Sequence, residues 1–343
     1  MRRSAEMAAA GMRAAMRASH LRNRKGGGGE CREGGRDLAV SERALASAFE
    51  HRVKTLGADR LAYPPVVAGG ARACTIHYSR NDQLLRNGDW LLMDAGCEFW
   101  GYASDVSRAW PVVSSSASSS SSSSCSSSSN AAGLFSSGPH ADVYHALLEV
   151  HSKCVAAAVP GSSLSDIHAL SVSLLAEAAA QLGGATGASR SRVGKERKAS
   201  IVPALHGLSA SEIAAGRGGQ QGPLIARGLY PHAVGHWLGL DTHDAPLFSG
   251  GNGSNAGGGG AGAALVENVV LTVEPGLYFP PDERSWGRLA GVGMRLEDDV
   301  AVRGRGSGKG GEGGGGKEGS GPEVLSAGAP LLPEDVAAAI DGS

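Results

Sequence analysis

Asp94 and Asp105 stand at the two ends of a turn-rich segment in WLLMDAGCEFWGYASDVSRAWPV, residues 90 to 112. Leu91, Leu92 and Met93 form an apolar run that ends in Asp94, Gly96 and Gly101 bracket a turn, and Tyr102 to Trp110 reads as a returning strand. The stretch is therefore a hairpin with a carboxylate on each arm. A carboxylate placed straight after a buried apolar run loses hydration and requires a cation, a cluster of donors or a metal. Turn aspartates that only cap a hairpin are the competing reading. Downstream, His232, His236 and His243 fall within twelve positions in HAVGHWLGLDTHD, beside Asp241 and Asp244. Neutral imidazoles are the commonest metal ligands and acid/base groups near neutral pH. Gly235, Gly239 and the missing glutamate separate this stretch from the helical HExxH zinc motif. Glu274 ends the apolar run of LTVEPG, and Glu297 lies two residues after Arg295 in GMRLEDD, a spacing that puts both on one face of a strand. Singly, either could be a salt-bridged edge residue. Together, the carboxylates at 94, 105, 274 and 297 each adjoin an apolar β-type run, and with one histidine they form the ligand set that a pair of hard divalent ions needs. Two such ions offset the four negative charges, which would otherwise repel one another and protonate. A mostly oxygen set with one imidazole suits Mn2+, Co2+, Fe2+ or Zn2+, with Mn2+ favoured by hardness.

The elements that must position these groups follow from periodicity and punctuation. Residues 2 to 20 are rich in strong helix formers, with Met7, Ala8, Met12, Ala15 and Met16 at helical spacing. Their Arg-rich, acid-poor character also fits an organellar transit peptide. A second helix runs from Ser41 as N-cap through Leu45, Phe49 and Val53 to Gly57. Short β-type runs broken by Pro-Pro, Gly-Gly and Asn-Gly lead into the hairpin. Ala141 to Val159 and Leu164 to Leu182 are again two helices. The strand-rich segments 230–246, 268–279 and 291–302 come after them. Helix, helix, strands thus occurs twice, which predicts a duplicated α+β fold with the site on the seam between halves. Ser- and Gly-rich inserts near 24–37, 114–138, 184–226, 249–264 and 304–322 have little to bury and read as disordered surface excursions.

Composition narrows the function classes. The 343 residues carry 32 basic and 33 acidic side chains, a formal net charge of −1, so no field favours nucleic acid or an anionic membrane surface. No window approaches the roughly 18 consecutive apolar residues of a membrane span. Cys31, Cys74, Cys97, Cys125 and Cys154 are odd in number, widely spaced and free of CxxC pairs. That usage argues for a reducing, intracellular compartment, cytoplasmic or organellar, and against a cysteine-ligated zinc site.

The segments CTIHYSRND, LLMDAGCEFWGYASDVSRAWPV, PHAVGHWLGLDTHD, LTVEPGLYF and GMRLEDDV occur in this order. They resemble those of the Xaa-Pro aminopeptidases (aminopeptidase P), the proline-specific branch of the pita-bread metallopeptidases, most closely the eukaryotic organellar type. The resemblance implies the pita-bread (creatinase/aminopeptidase) fold: two pseudo-symmetric halves of helices packed on a curved antiparallel sheet. It implies one catalytic domain over residues 1–343, without the N-terminal domain usual in such enzymes. It implies Asp94, Asp105, His236, Glu274 and Glu297 as ligands of two divalent ions. Substrate or proton-transfer roles fall to His77, His232 and His243, general-base work to Glu274, and support of the site to Arg295. The reaction expected is attack of a metal-held hydroxide on the carbonyl of an Xaa-Pro bond, releasing the N-terminal residue from peptides with proline in second position. A tertiary amide lacks the N–H that ordinary proteases recognise, so a dedicated site is needed. Peptides with an Xaa-Pro N-terminus are the expected partners, and self-association into a homo-oligomer is compatible with the sequence. Prolidase, a dipeptidase, and a catalytically dead pita-bread protein used as a binding module are the alternatives.

Overall fold

The computed structural model describes residues 1–21, 39–114, 131–182, 205, 208–215, 224, 228–244, 262–304 and 321–342. Helix α1 (Arg2–Ser19) is built from Ala, Met and Arg without a proline, and its Met7, Met12 and Met16 recur on one buried face. A short strand, β1 (Ala39–Ser41), leads into α2 (Glu42–Thr55). Ser41 caps α2 by accepting from the Ala44 N–H at 3.1 Å, and Gly57 ends it at φ +98°. The two helices meet so closely that a Cβ on Gly11 would lie 2.7 Å from Phe49. The arginine-rich segment that also reads as a transit peptide is therefore core in this fold.

The first half continues through β2 (Arg60–Leu61), β3 (Val66–Gly69), β4 (Leu84–Arg86), β5 (Trp90–Ala95), β6 (Cys97–Glu98) and β7 (Val106–Pro111). Strands β3, β5 and β7 form an antiparallel sheet in which Val66, Asp94 and Ser107 stand abreast. The returning arm of the hairpin becomes strand at Val106, later than the sequence pattern indicates. Phe99 and Tyr102 instead close a tight turn, with Trp100 at φ +53° and Gly101 at φ +77°, and the Ala103 N–H donates to the Gly239 carbonyl at 2.9 Å.

The second half repeats the order. Helices α3 (Ala131–Ser136), α4 (Pro139–Ala156), α5 (Leu164–Leu182) and α6 (Ala210–Ala215) precede β8 (Val270–Val273), β9 (Gly276–Tyr278), β10 (Gly293–Arg295), β11 (Asp298–Ala301) and β12 (Glu323–Val324). Strands β8, β11 and β12 make a second antiparallel sheet, and β9 pairs with β10. Among the bonds that join the halves, two lie beside the acids. The Glu297 N–H donates to the Ser107 carbonyl at 3.1 Å, and the Asp105 N–H donates to Asp299 Oδ1 at 3.0 Å.

Three expectations need correction. The insert expected to be disordered over 114–138 contains α3, whose Phe135 is buried edge-on to Trp90 at 5.0 Å and to Tyr144 at 4.8 Å. That over 184–226 contains α6, with Ile213 buried, and also the buried Leu205 and Leu224. In both, a few apolar residues after a polar run are enough to dock a short helix. The insert at 24–37 and most of those at 249–264 and 304–322 lie outside the described residues. Finally, 230–244 is not a regular strand. Glycines break its pleat, yet it lies along β8 and bonds to it: Leu238 N–H to Val270 O at 3.1 Å, Thr272 N–H to His236 O at 2.9 Å, and Glu274 N–H to Val234 O at 2.7 Å.

Candidate active site

The acidic residues converge where the two halves meet. Asp94 sits near the end of β5, Asp105 just before β7, Glu274 just after β8, and Glu297 between β10 and β11. Strand ends carry them because a carboxylate in mid-strand would be driven against the core on one face, whereas the turn that follows opens towards the cavity. The fifth group arrives on the glycine-bearing loop. A Cβ on Gly235 would lie 1.9 Å from the Thr272 carbonyl, so only glycine lets the loop lie flat on β8. His236 is then fixed on both sides: its N–H donates to Thr272 Oγ1 at 3.0 Å, and its Nδ1 lies 3.0 Å from the Trp237 carbonyl. That contact places the proton on Nδ1 and aims Nε2 at the acids, 3.5 Å from Asp105 and 3.7 Å from Glu274. Asp105, His236 and Glu297 each offer a ligand atom within 4.8 Å of the others.

A set of buried donors holds the carboxylates. Tyr63 donates to Asp94 Oδ1 at 2.5 Å, and its hydroxyl also bonds to Asp105. Arg295 pairs with Asp94 through Nη2, and its Nε donates to Ser107 Oγ at 2.9 Å. Ser107 in turn donates to Glu297 Oε2 at 2.6 Å. Tyr278 accepts from Arg295 Nη1 at 2.9 Å and lies 3.0 Å from His232 Nε2. The acids, His232, His236 and Arg295 line a cavity of about 900 Å³, and Tyr63, Ser107 and Tyr278 bond to them from outside its lining.

The electrostatics follow from burial and crowding. Burial raises Asp94 to about 6, against the pull of Arg295 and with a further push from Asp105. Burial likewise raises Glu274 to about 7, opposed by Arg295 and His236. Glu297 is pushed well above the usual carboxylate range by burial and by the neighbouring acids. Burial alone would lower His236, but the hydrogen bond and charge of Asp105, with Glu274, raise it to about 9. His232 feels burial and the Arg295 charge instead and falls to about 3, so it is neutral. Four acids crowded around one guanidinium and one imidazole repel one another and take up protons, and a divalent cation would hold them ionised instead. The oxygen-rich set with a single imidazole fits a hard divalent ion.

Every candidate named from the sequence reaches this cavity. The His243 ring lies tilted against that of His236 with centroids 4.1 Å apart, His77 lines the wall, and His232 Nδ1 lies 3.8 Å from Glu274. The sequence pattern did not single out Tyr63, Ser107 or Tyr278. Ser107 had a usable signal, since it lies two residues after Asp105 on the same strand face. Tyr63 and Tyr278 had none beyond standing next to Pro-Pro and after Pro-Gly.

Comparison with known proteins places the chain. Residues 1–304 match Metallopeptidase family M24. Xaa-Pro aminopeptidase 3 of Mus musculus is 34% identical over 264 residues, covering 77% of this chain and 40% of that protein. Mitochondrial intermediate cleaving peptidase 55 of Arabidopsis thaliana is 30% identical over 261 residues, covering 76% and 40%. The solved structure of proline aminopeptidase P II from Yersinia pestis is similar at TM-score 0.67 and 25% identity, over 100% of this chain and 58% of that one. The chain thus spans about 40% of the length of the curated relatives it matches. Two helix-then-strand halves, with acids from both gathered at their seam around one imidazole, are the pita-bread arrangement, and the chain belongs to metallopeptidase family M24.

Proposed function

We propose that this chain is a metal-dependent aminopeptidase that releases the N-terminal residue from peptides with proline in second position. The observation that carries the reading is one cavity holding Asp94, Asp105, His236, Glu274 and Glu297 together with His77, His232, His243 and Arg295. Asp94, Asp105, His236, Glu274 and Glu297 would hold two divalent ions, with Mn2+ favoured by the hardness of the oxygen set. Such ions, when bound, lower the pKa of water and polarise the scissile carbonyl. The chain's own groups do the rest. Glu274 stands where it can take and return a proton, His243 is placed to stabilise the carbonyl oxygen or protonate the departing proline nitrogen, and His77 and His232 contact the peptide. Asp94 would face the free α-amino group, which explains removal of a single residue. The naming of the mouse and Yersinia relatives as proline aminopeptidases supports this substrate class. The mitochondrial naming of the Arabidopsis relative supports an organellar location, which subcellular fractionation tests.

The test is release of the first residue from an Xaa-Pro-Yaa tripeptide by purified protein with added Mn2+. Failure to release it overturns the reading. Faster cleavage of an Xaa-Pro dipeptide than of the tripeptide would identify a prolidase instead. Asp94→Asn and Glu297→Gln should each abolish activity and lower bound metal, and two ions retained in both variants would refute the ligand assignment.

A further inference from the structure

Glu42 opens helix α2, is 0% exposed, and has no part in the chemistry above. Its carboxylate meets four donors. Oε1 accepts from the Gly69 N–H at 3.0 Å and from Arg72 Nε at 2.8 Å; Oε2 accepts from the Tyr78 hydroxyl at 2.9 Å and from the Gln83 N–H at 3.1 Å. The Glu42 N–H returns a bond to the Gln83 carbonyl at 2.9 Å. All four partners belong to the connection from β3 to β4, with Gly69 and Gln83 at its two ends. This loop passes through the 3-10 turn Gly70–Cys74 and brings Ile76 and His77 to the cavity wall. His77 is exposed and, among the described residues, makes no side-chain hydrogen bond, so its place is set by the backbone on either side. Before it, Cys74 Sγ donates to the Phe279 carbonyl at 3.2 Å, and a Cβ on Gly293 of β10 would lie 2.6 Å from the Ala73 backbone. After it, Glu42 holds Tyr78, and Asn81 accepts from the Val67 N–H at 2.8 Å and donates to the Pro65 carbonyl at 2.7 Å. Position 42 requires a carboxylate, because all four partners donate and only a group without hydrogens of its own can accept from every one. The positive end of α2 favours the charge in the same place.

We propose that Glu42 is a positioning residue for substrate binding: it acts through His77, by fixing the arm from Tyr78 to Gln83, and so sets where that imidazole meets the peptide. This assignment rests on the aminopeptidase reading, in which His77 contacts the substrate. The four acids and His236 sit on other elements, and Glu42 bonds to none of them. Loss of the Glu42 charge therefore disturbs substrate binding and spares metal binding. In Glu42→Gln the amide offers one oxygen and two N–H groups, so one pair of loop donors faces another donor and that end of the loop is released.

The experiment is a double-mutant cycle read as kcat/KM on an Xaa-Pro-Yaa tripeptide with Mn2+, using wild type, Glu42→Gln, His77→Ala and the double variant. His77→Ala should lower kcat/KM about tenfold, the loss of one hydrogen bond. Glu42→Gln should lower it about three- to tenfold in the wild-type background and less than about twofold once His77 is gone, because a group that acts through the imidazole then has nothing to act on. Mn2+ affinity measured by calorimetry should stay within about twofold in Glu42→Gln, whereas a general loosening of the fold would weaken it. Tyr78→Phe is the second variant, for the case that Glu42→Gln does not fold. It keeps the ring, removes the one donor next to His77, and should lower kcat/KM about threefold with the same dependence on His77. With wild-type protein active, losses that multiply with that of His77→Ala, a fall in Mn2+ affinity in Glu42→Gln, a silent His77→Ala, or no loss in Glu42→Gln and Tyr78→Phe alike overturns the Glu42 assignment and leaves the aminopeptidase reading standing. Wild-type protein that releases nothing overturns the aminopeptidase reading and this assignment with it.

Discussion

Replacing Arg108 by Met tests whether the site is held from behind by a buried charge pair. Arg108 is 1% exposed and uses its whole guanidinium. Nε donates to Pro330 O at 2.9 Å; Nη1 donates to Ser107 O at 3.0 Å and Glu297 O at 2.6 Å; Nη2 donates to Asp298 Oδ1 at 2.7 Å and Ala329 O at 3.1 Å. One side chain therefore links β7, the backbone of the acid Glu297, and the segment that precedes the C-terminal helix Pro333–Asp341. Met has similar length but no charge. Asp298, also 1% exposed, would keep the Ser326 hydroxyl at 2.6 Å and His151 at 3.3 Å, neither of them a fixed cation. Breaking a buried pair from one side costs about 3–5 kcal/mol, because the remaining charge is stranded. Asp298→Asn alone strands Arg108 in the same way. With both changed no charge is left over, so the double variant should recover about 1–3 kcal/mol relative to the sum of the single losses. Urea unfolding followed by circular dichroism on all four proteins gives the cycle. Losses that add to within about 0.5 kcal/mol would show that the two groups are not coupled and would refute the reasoning.

Two further expectations follow from the same geometry. Tyr63→Phe removes the hydroxyl shared by Asp94 and Asp105, and Mn2+ affinity measured by calorimetry should fall about 10–100-fold while the fold persists; unchanged affinity would mean that the tyrosine does not orient the acids. His151 is buried beside Asp298 and Arg108, and burial lowers its pKa from 6.5 to about 4, with Asp298 opposing and Arg108 assisting. A histidine depressed in the folded state gives its full stability above pH 6.5 and loses it as pH falls from there towards 4, on the order of 3 kcal/mol in all. His151→Gln should flatten that part of the stability–pH curve, and an identical slope in the variant would rule the residue out as its source.

The amino-acid sequence by itself determined the four acids and most of the regular elements, because these depend on neighbours close along the chain. An apolar run that stops at a carboxylate before a glycine turn marks Asp94 and Glu274 without any knowledge of the rest. Ser41 and Gly57 delimit α2 by the same local chemistry. Where local signals were mixed, the reading failed: α3 and α6 hide inside polar inserts, and docking against Trp90 and Tyr144 decided the first of them. The family resemblance named His236 as the imidazole of the set, but spacing alone did not distinguish it, and the tertiary structure supplies the reason that it faces the acids. His232, His236 and His243 are equivalent candidates along the chain, and the bed of β8 beneath Gly235 turns His236 Nε2 towards Asp105 while His232 turns to Tyr278. The supporting donors were equally invisible, since Tyr63 reaches Asp94 across 31 positions and Arg108 reaches Asp298 across 190. Periodicity reports which face of an element is buried, whereas a hydrogen-bond partner brought by a different element exists only once the halves have closed on each other.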